Sequence, residues 1–424
     1  MHQREKKPAP KIKDLPGLFD EPDHIPKICA IIRSVIPRLI ENVVYQRITT
    51  LHKAVILLGA RQVGKTTLLH ALENRLNRTG KSVRYLNCDL EEERQAINTI
   101  SRTLLDRLVA GKDAIMIDEV QRLDNPGLTL KILVDLYPAL MIMATGSSSF
   151  ELRNRMSEAL TGRYIDFRLY PLSLGEALQH AGVINDRALR KPAADALLAD
   201  VLRYGLYPEI YLEANPATKQ LLLAKLVESY LFKDILAFQR VRHSQTIINL
   251  ARALAYQIGS EVNENELANR LKIDRKTVLN YMDILEKSFV IMRLSPFSRN
   301  PRREIGKHSK IYFLDLGIRN ALIGDFNDLS IRSDRGAIWE NFTIIERNKT
   351  YLNQGRNVQS RFWRTYGGAE VDYIEESDAG HLQAYEIKFG DSALTRGAGS
   401  FKNTYAVDVQ LVNQENYLSF VLDI

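Results

Sequence analysis

Residues 59–66 read Gly-Ala-Arg-Gln-Val-Gly-Lys-Thr, a G-x-x-x-x-G-K-[ST] octapeptide between the apolar run Ala54–Leu58 and the helix-forming Thr67–Leu72. A strand, a tight turn poor in side chains, and a helix in that order restrict the chain to an α/β core. Such a turn lets several backbone N–H groups point at one anion, and the helix presents its positive end to the same group. The spacing predicts that Gly59, Ala60, Arg61, Gln62, Val63, Gly64, Lys65, Thr66 and Thr67 cradle the phosphates of a nucleoside triphosphate. Lys65 would reach the β/γ-phosphates and Thr66 would ligate Mg²⁺. A glycine turn in an unrelated sheet is the competing reading, and the flanking strand and helix argue against it.

A second apolar run, Ala114–Ile117, ends in Asp118-Glu119. In open parallel sheets, ligands bind outside the carboxyl ends of the strands. Asp118 is therefore expected to hold Mg²⁺ and Glu119 to polarise an attacking water. A third run, Ala139–Ala144, ends in Thr145-Gly146-Ser147-Ser148-Ser149. One of those hydroxyls, with Thr145 the first candidate, is expected to sense the γ-phosphate. Arg163 precedes another strand-like run. It reads either as a finger on the γ-phosphate of its own or a neighbouring subunit, or as a surface arginine.

At 424 residues the chain predicts about three domains. A net charge of +7 leans towards a polyanionic partner, but 51 acidic residues offset 58 basic ones. Cys29 and Cys88 have neither metal-site nor disulfide spacing, which fits a reduced, cytoplasmic setting. No apolar run approaches the ~20 residues of a membrane span, so no membrane partner is expected.

Residues 1–25 are expected to be a flexible tail. Strand-like runs at 54–58, 83–87, 114–117, 139–144 and 164–169 alternate with helical stretches. They predict a doubly wound parallel sheet over 26–170, including a helical stretch from Ile25 to Thr50 that Pro37 interrupts. Residues 171–241 read as a helical lid. Within it, Gly205-Leu206-Tyr207-Pro208 is either a turn approaching the phosphates or an ordinary interhelical turn.

Over 242–328 the pattern becomes helix (263–271), turn, helix (275–286), strand (289–294), basic loop and return strand (311–314). Asp274 is placed to cap the second helix, whose inner stripe is Val278, Leu279, Met282 and Leu285. That is the layout of a winged helix. Arg275, Lys276 and Asn280 are expected on its exposed face, with Arg299, Arg302, Arg303, Lys307 and Lys310 in the loop, all able to meet DNA. Packing or protein contact is the alternative use. Over 329–424, Glu370–Ile374 and Ala384–Phe389 read as adjacent strands with Glu386 and Lys388 on one face. Asp372 would lie opposite Glu386, and Glu340 on the preceding helix could add a third acid. Two carboxylates beside an amine can hold Mg²⁺ and position water for attack on phosphorus, with Asp372 and Glu386 as ligands. Glu370 shares the face of Asp372, and edge-strand charges that merely pair with each other are the alternative.

Several motifs recur together: Leu58–Thr67, Ile117-Asp118-Glu119-Val120-Gln121, Thr145-Gly146-Ser147-Ser148, Leu160-Thr161-Gly162-Arg163, Gly205-Leu206-Tyr207-Pro208-Glu209, Leu314-Asp315-Leu316-Gly317, Ala337-Ile338-Trp339-Glu340-Asn341, Glu370-Val371-Asp372 and Glu386-Ile387-Lys388. Together they resemble a family of prokaryotic AAA+-type ATPases with a C-terminal restriction-endonuclease-like domain. The resemblance implies ATP hydrolysis assisted by Asp118 and Glu119, and a winged helix. It also implies a PD-(D/E)xK-like domain using Glu340, Asp372, Glu386 and Lys388. The Gly205–Pro208 turn looks like a G-x-P element, although two residues rather than one separate Gly205 from Pro208. The resemblance names no substrate. An ATP-driven DNA enzyme, as a homo-oligomer or with a protein partner, and a signalling switch with an inactive C-terminal binding module both fit it, as does a DNA-binding regulator with a vestigial ATPase.

Overall fold

The computed structural model describes residues 35–147, 160–229, 244–299, 308–365, 367–377, 380–390 and 393–423. The expected tail, Ser148 and Ser149, and the loop residues Arg302, Arg303 and Lys307 lie outside them.

Five strands, β1 (Ala54–Gly59), β2 (Val83–Asn87), β3 (Ala114–Asp118), β4 (Met141–Ser147) and β5 (Tyr164–Leu169), form a parallel sheet in the order β2-β3-β4-β1-β5. Every residue of β1 and β3 is buried, as expected of strands covered on both faces. β4 separates β1 from β3, with Leu57 opposite Thr145 and Ile117 opposite Ala144. It runs on through Ser147, so Thr145 belongs to the strand and not to the segment after it. Helix α1 (Glu41–Thr50) begins four residues beyond Pro37, whose ring excludes it from a helix interior. Helix α2 (Lys65–Arg78) opens directly from the glycine-rich loop.

The helical stretch after the sheet comprises α3 (Leu174–His180), α4 (Arg187–Tyr204), α5 (Pro208–Leu212) and α6 (Pro216–Leu226). Ser173 and Glu176 form a reciprocal capping box at the start of α3. Next come α7 (Ser244–Tyr256), α8 (Glu264–Leu271), α9 (Arg275–Lys287) and the antiparallel hairpin β6 (Ile291–Pro296) and β7 (Lys310–Phe313). The Asp274 carboxylate accepts from the Thr277 N–H at 2.9 Å, capping α9 as its sequence predicts. Val278, Tyr281, Met282, Ile284 and Leu285 form the buried stripe of α9; Leu279 lies at its margin, and Tyr281 takes the inner place expected of it.

Helices α10 (Leu316–Ile323) and α11 (Arg335–Asn353) lead into β8 (Gln359–Arg364), β9 (Glu370–Glu376), β10 (Leu382–Ile387), α12 (Arg396–Tyr405), β11 (Val409–Val412) and α13 (Tyr417–Leu422). The second sheet has the order β11-β10-β9-β8-β6-β7. β6 joins it through parallel pairing of Ser295 with Arg361 and Pro296 with Phe362. The hairpin and the C-terminal strands are therefore one sheet, and one buried apolar cluster extends from Ile36 to Leu422.

The Gly205–Pro208 turn does not face the phosphate loop. The Leu206 N–H donates to the buried Asp315 carboxylate at 2.7 Å, and a β-carbon on Gly205 would lie 2.1 Å from Asp315 Oδ1. Gly317 sits as tightly, since a β-carbon there would come within 2.0 Å of the Tyr204 carbonyl oxygen. These glycines let α4 and α10 meet backbone to backbone. Gly317→Ala is expected to destabilise the protein by ~1–3 kcal/mol, the usual range for forcing atoms into a filled site. A thermal melt checks this, and an unchanged midpoint would contradict the close approach.

Candidate functional site

The loop after β1 takes its shape from two left-handed residues, Gln62 at φ +59° and Gly64 at φ +92°. Only the second is a glycine, so Gln62 is held against its own preference. Lys65 is buried and folds back, donating to the carbonyls of Gly59 at 3.0 Å and Ala60 at 2.8 Å. Burial lowers its pKa, and Glu119 and Asp118 partly offset this. A desolvated ammonium in this position gains from an arriving polyanion.

Asp118, at the tip of β3, is the centre of the site. Its Oδ2 accepts from the Thr66 hydroxyl at 2.7 Å and from the Tyr85 hydroxyl at 3.1 Å. Its Oδ1 accepts from the Thr145 hydroxyl, and Thr145 Oγ in turn accepts from the Glu119 N–H at 3.1 Å. Of the candidate hydroxyls among the described residues, Thr145 is thus the one tied to the acidic pair. Tyr85 was not legible as a site residue. It lies inside an ordinary strand-like run, and only the pairing of β2 with β3 brings it here.

Glu119 has a left-handed backbone, φ +54° and ψ +47°, and accepts from the Gln121 side-chain amide. A non-glycine held in that region at a strand tip is typical of sites where strain serves function. Ser147, opposite Gly59 in the register, has a buried hydroxyl with no hydrogen-bond partner among the described residues. A buried orphan donor beside the loop, two hard oxygens from Thr66 and Asp118, and a buried ammonium together fit a Mg²⁺-bound triphosphate.

Arg163 does not join this group. It precedes Tyr164, which pairs with Ala54 at the end of β1 opposite the loop, and its Nε donates to Asp135 Oδ1 at 2.6 Å. Parallel strands put Arg163 a full strand length from its own phosphate loop, so the intrachain finger is excluded.

The C-terminal acids do converge. β9 and β10 pair with Tyr373 opposite Tyr385, which brings Asp372 and Glu386 side by side. Lys388 Nζ lies 3.1 Å from Glu386 and 3.8 Å from Asp372. Lys310 was expected on an exposed basic loop. Instead it lies on β7, 2% exposed, with its Nζ 3.0 Å from Glu340, 2.5 Å from Glu370 and 3.8 Å from Asp372. The Tyr312 hydroxyl also donates to Glu340, at 2.6 Å. Burial, reinforced by Glu340, pushes the Asp372 carboxyl up to about 7, against the pull of Lys310 and Lys388. Burial would lower Lys310, but Glu340, Asp372 and Glu370 outweigh it and raise it. Among the described residues, no group of three or more His, Cys, Asp or Glu side chains is arranged to hold a metal ion. At the C-terminal acids an ammonium stands between the carboxylates. They border an open cleft of about 680 Å³ that Arg396 and Ser400 also line.

The five-stranded core with its loop and acidic strand tip defines a P-loop nucleotide site. Residues 51–178 match the family model described as an AAA domain, and this part of the chain is an AAA-type ATP-binding domain. Residues 195–329 and 335–419 match two domains of unknown function, DUF8612 and DUF4143. The first of these spans both the helical stretch and the hairpin. An uncharacterized protein of Haemophilus influenzae is 24% identical over 283 residues, covering 63% of this chain and 69% of its own length. An uncharacterized protein of Methanocaldococcus jannaschii is 27% identical over 297 residues, covering 63% and 62%. Among solved structures, AMPPCP-bound DnaA from Aquifex aeolicus overlaps with a TM-score of 0.26 at 18% identity, covering 58% of this chain and 86% of that one. A replication initiator DnaA bound to AMPPCP and single-stranded DNA gives 0.28 at 18% identity with the same coverage. Likeness at that level assigns neither fold nor ligand here. No helix among the described residues is long and apolar enough to cross a membrane.

Proposed function

We propose that this chain is an ATP-hydrolysing AAA-type ATPase that works on DNA. The observation carrying the ATPase reading is the Asp118 carboxylate, bonded at once by Thr66 of the phosphate loop and Thr145 of the intervening strand, with Glu119 next to it. Mg²⁺, held by Thr66 and Asp118, would screen the charge of the phosphates. Glu119 takes a proton from the attacking water as the γ-phosphoryl group transfers and ADP leaves. Arg163, half-buried at the start of the edge strand β5 and paired with Asp135, is read as a finger offered to a neighbouring copy. Steady-state ATP turnover by the purified chain tests the reading, and a folded protein that binds no adenine nucleotide would end it.

DNA association rests on the helix–helix–hairpin module, read as a winged helix, whose α9 exposes Arg275, Lys276 and Asn280. The C-terminal region is read as restriction-endonuclease-like, with Glu340, Asp372, Glu386 and Lys388 around the cleft. Two of these acids, Asp372 and Glu386, are the candidate Mg²⁺ ligands. The second reading is a signalling switch with a non-cutting C-terminal module. The intrusion of Lys310 among the acids favours it.

A plasmid-nicking assay in Mg²⁺ and Mn²⁺, with and without ATP, separates the two. If the cleft cuts, Lys388→Ala and Asp372→Ala abolish nicking. The raised Asp372 carboxyl of the metal-free chain has a stability consequence of definite sign. A carboxyl raised from its free value of ~3.9 favours the folded state below that value, and the contribution is lost as pH climbs to about 7. No nicking under any of these conditions leaves the switch.

A further inference from the structure

We propose that Arg38 is a positioning residue for the phosphate-binding loop, and that its partner Glu176 makes this positioning depend on helix α11 of the C-terminal region. The proposal rests on the nucleotide reading above and adds to it a residue and a route of control.

Arg38 precedes α1 and touches neither the reacting atoms nor the acidic pair. Arg38 is 8% exposed, and each of its three guanidinium nitrogens donates to a different acceptor. Nη1 donates to the Val63 carbonyl at 2.6 Å, inside the loop and next to Gly64. Nη2 donates to the Tyr170 carbonyl at 2.8 Å, just beyond β5. Nε donates to Glu176 Oε1 at 2.8 Å. A planar fork of donors fixes three acceptors in one geometry, which a lysine cannot do. The loop it grips is the one holding Gln62 and Gly64 in left-handed conformations, so an outside tie has a physical task there.

Glu176 is wholly buried and accepts as well from the N–H groups of Leu39 at 3.0 Å and Ser173 at 2.8 Å. The segment from Tyr170 to Glu176 is then gripped from its other side by α11. Glu346 accepts from the Leu174 N–H at 2.6 Å, and Lys349 donates to the Leu172 carbonyl at 2.9 Å. Asn353 donates to the Ser173 hydroxyl at 3.2 Å. Towards its other end, the same helix carries Glu340, which binds Lys310 and Tyr312 of β7. Polar contacts at the two ends of α11, joined by the helix itself, thus connect the segment that Arg38 grips with the C-terminal cleft. A displacement of α11 has to be felt at Val63 unless these bonds break.

The test is calorimetric titration of the full chain with Mg²⁺-ATP and with inorganic tripolyphosphate. Arg38→Lys keeps the charge and loses the fork. The pair Arg38→Met with Glu176→Leu removes both buried charges together, which guards against a lone buried carboxylate unfolding the protein. Both variants are expected to bind either ligand about tenfold more weakly, because the loop backbone and not the base is disturbed. Glu346→Gln is expected to weaken both by about threefold. A lowered melting temperature with unchanged affinities in the Arg38 variants would make the contacts merely structural and overturn the proposal. Wild-type affinity in Glu346→Gln would overturn the link to α11. If the wild type binds neither ligand, the nucleotide reading itself falls; if it binds and the variants match it, only this inference falls.

Discussion

Lys65→Ala is expected to remove measurable ATP binding while leaving the protein folded. The ammonium is held ready on the carbonyls of Gly59 and Ala60, and it exchanges those neutral acceptors for charged phosphate oxygens. Two charge-assisted hydrogen bonds at about 1.5–3 kcal/mol each put the loss at roughly a hundredfold or more. The fold should survive, because alanine relieves a desolvated charge and leaves two loop carbonyls beside a site that admits water. Calorimetry with Mg²⁺-ATP measures the affinity, and circular dichroism controls for folding. An alanine variant binding within threefold of wild type would disprove the assignment of the loop.

Glu119→Gln should separate binding from turnover. Its side chain contacts Gln121 rather than the loop, so ATP affinity is expected to stay within a few fold of wild type. Loss of a general base typically costs 10²–10⁴ in rate, so phosphate release should fall by about that factor. Asp118→Asn differs in kind. It disturbs the carboxylate that orients Thr66 and Thr145, and Mg²⁺ dependence and turnover should both suffer. A Glu119→Gln protein with half the wild-type rate would move the base elsewhere.

The parallel core was legible because burial on both faces leaves a signature of unbroken apolar runs. The strands read at 54–58, 83–87 and 114–117 lie within one residue of those observed. The acidic tip of β3 was legible for the same reason, since nothing in packing calls for two carboxylates there. Tyr85, Arg38 and Glu176 were not. Tyr85 meets Asp118 33 positions away and Arg38 meets Val63 and Glu176 25 and 138 positions away, and local spacing carries no trace of such pairings. Lys310 shows the limit most plainly. In sequence it adjoins a basic stretch, and only the merging of β6 with β8 turns it inward upon three acids, Glu340, Glu370 and Asp372. The Gly205 turn was ambiguous in a similar way, because glycine permits a close approach without saying to what.

The pairing of Ser295 and Pro296 with Arg361 and Phe362 limits how this chain could be divided. A fragment ending before β8 would expose the flank of β6, a row of unsatisfied backbone donors and acceptors prone to intermolecular association. A fragment starting after β7 would strip the same row from β8 and take away Lys310, one of the two lysines set among the acids of the cleft. Separately expressed halves should therefore be poorly soluble, and recover only when mixed during refolding.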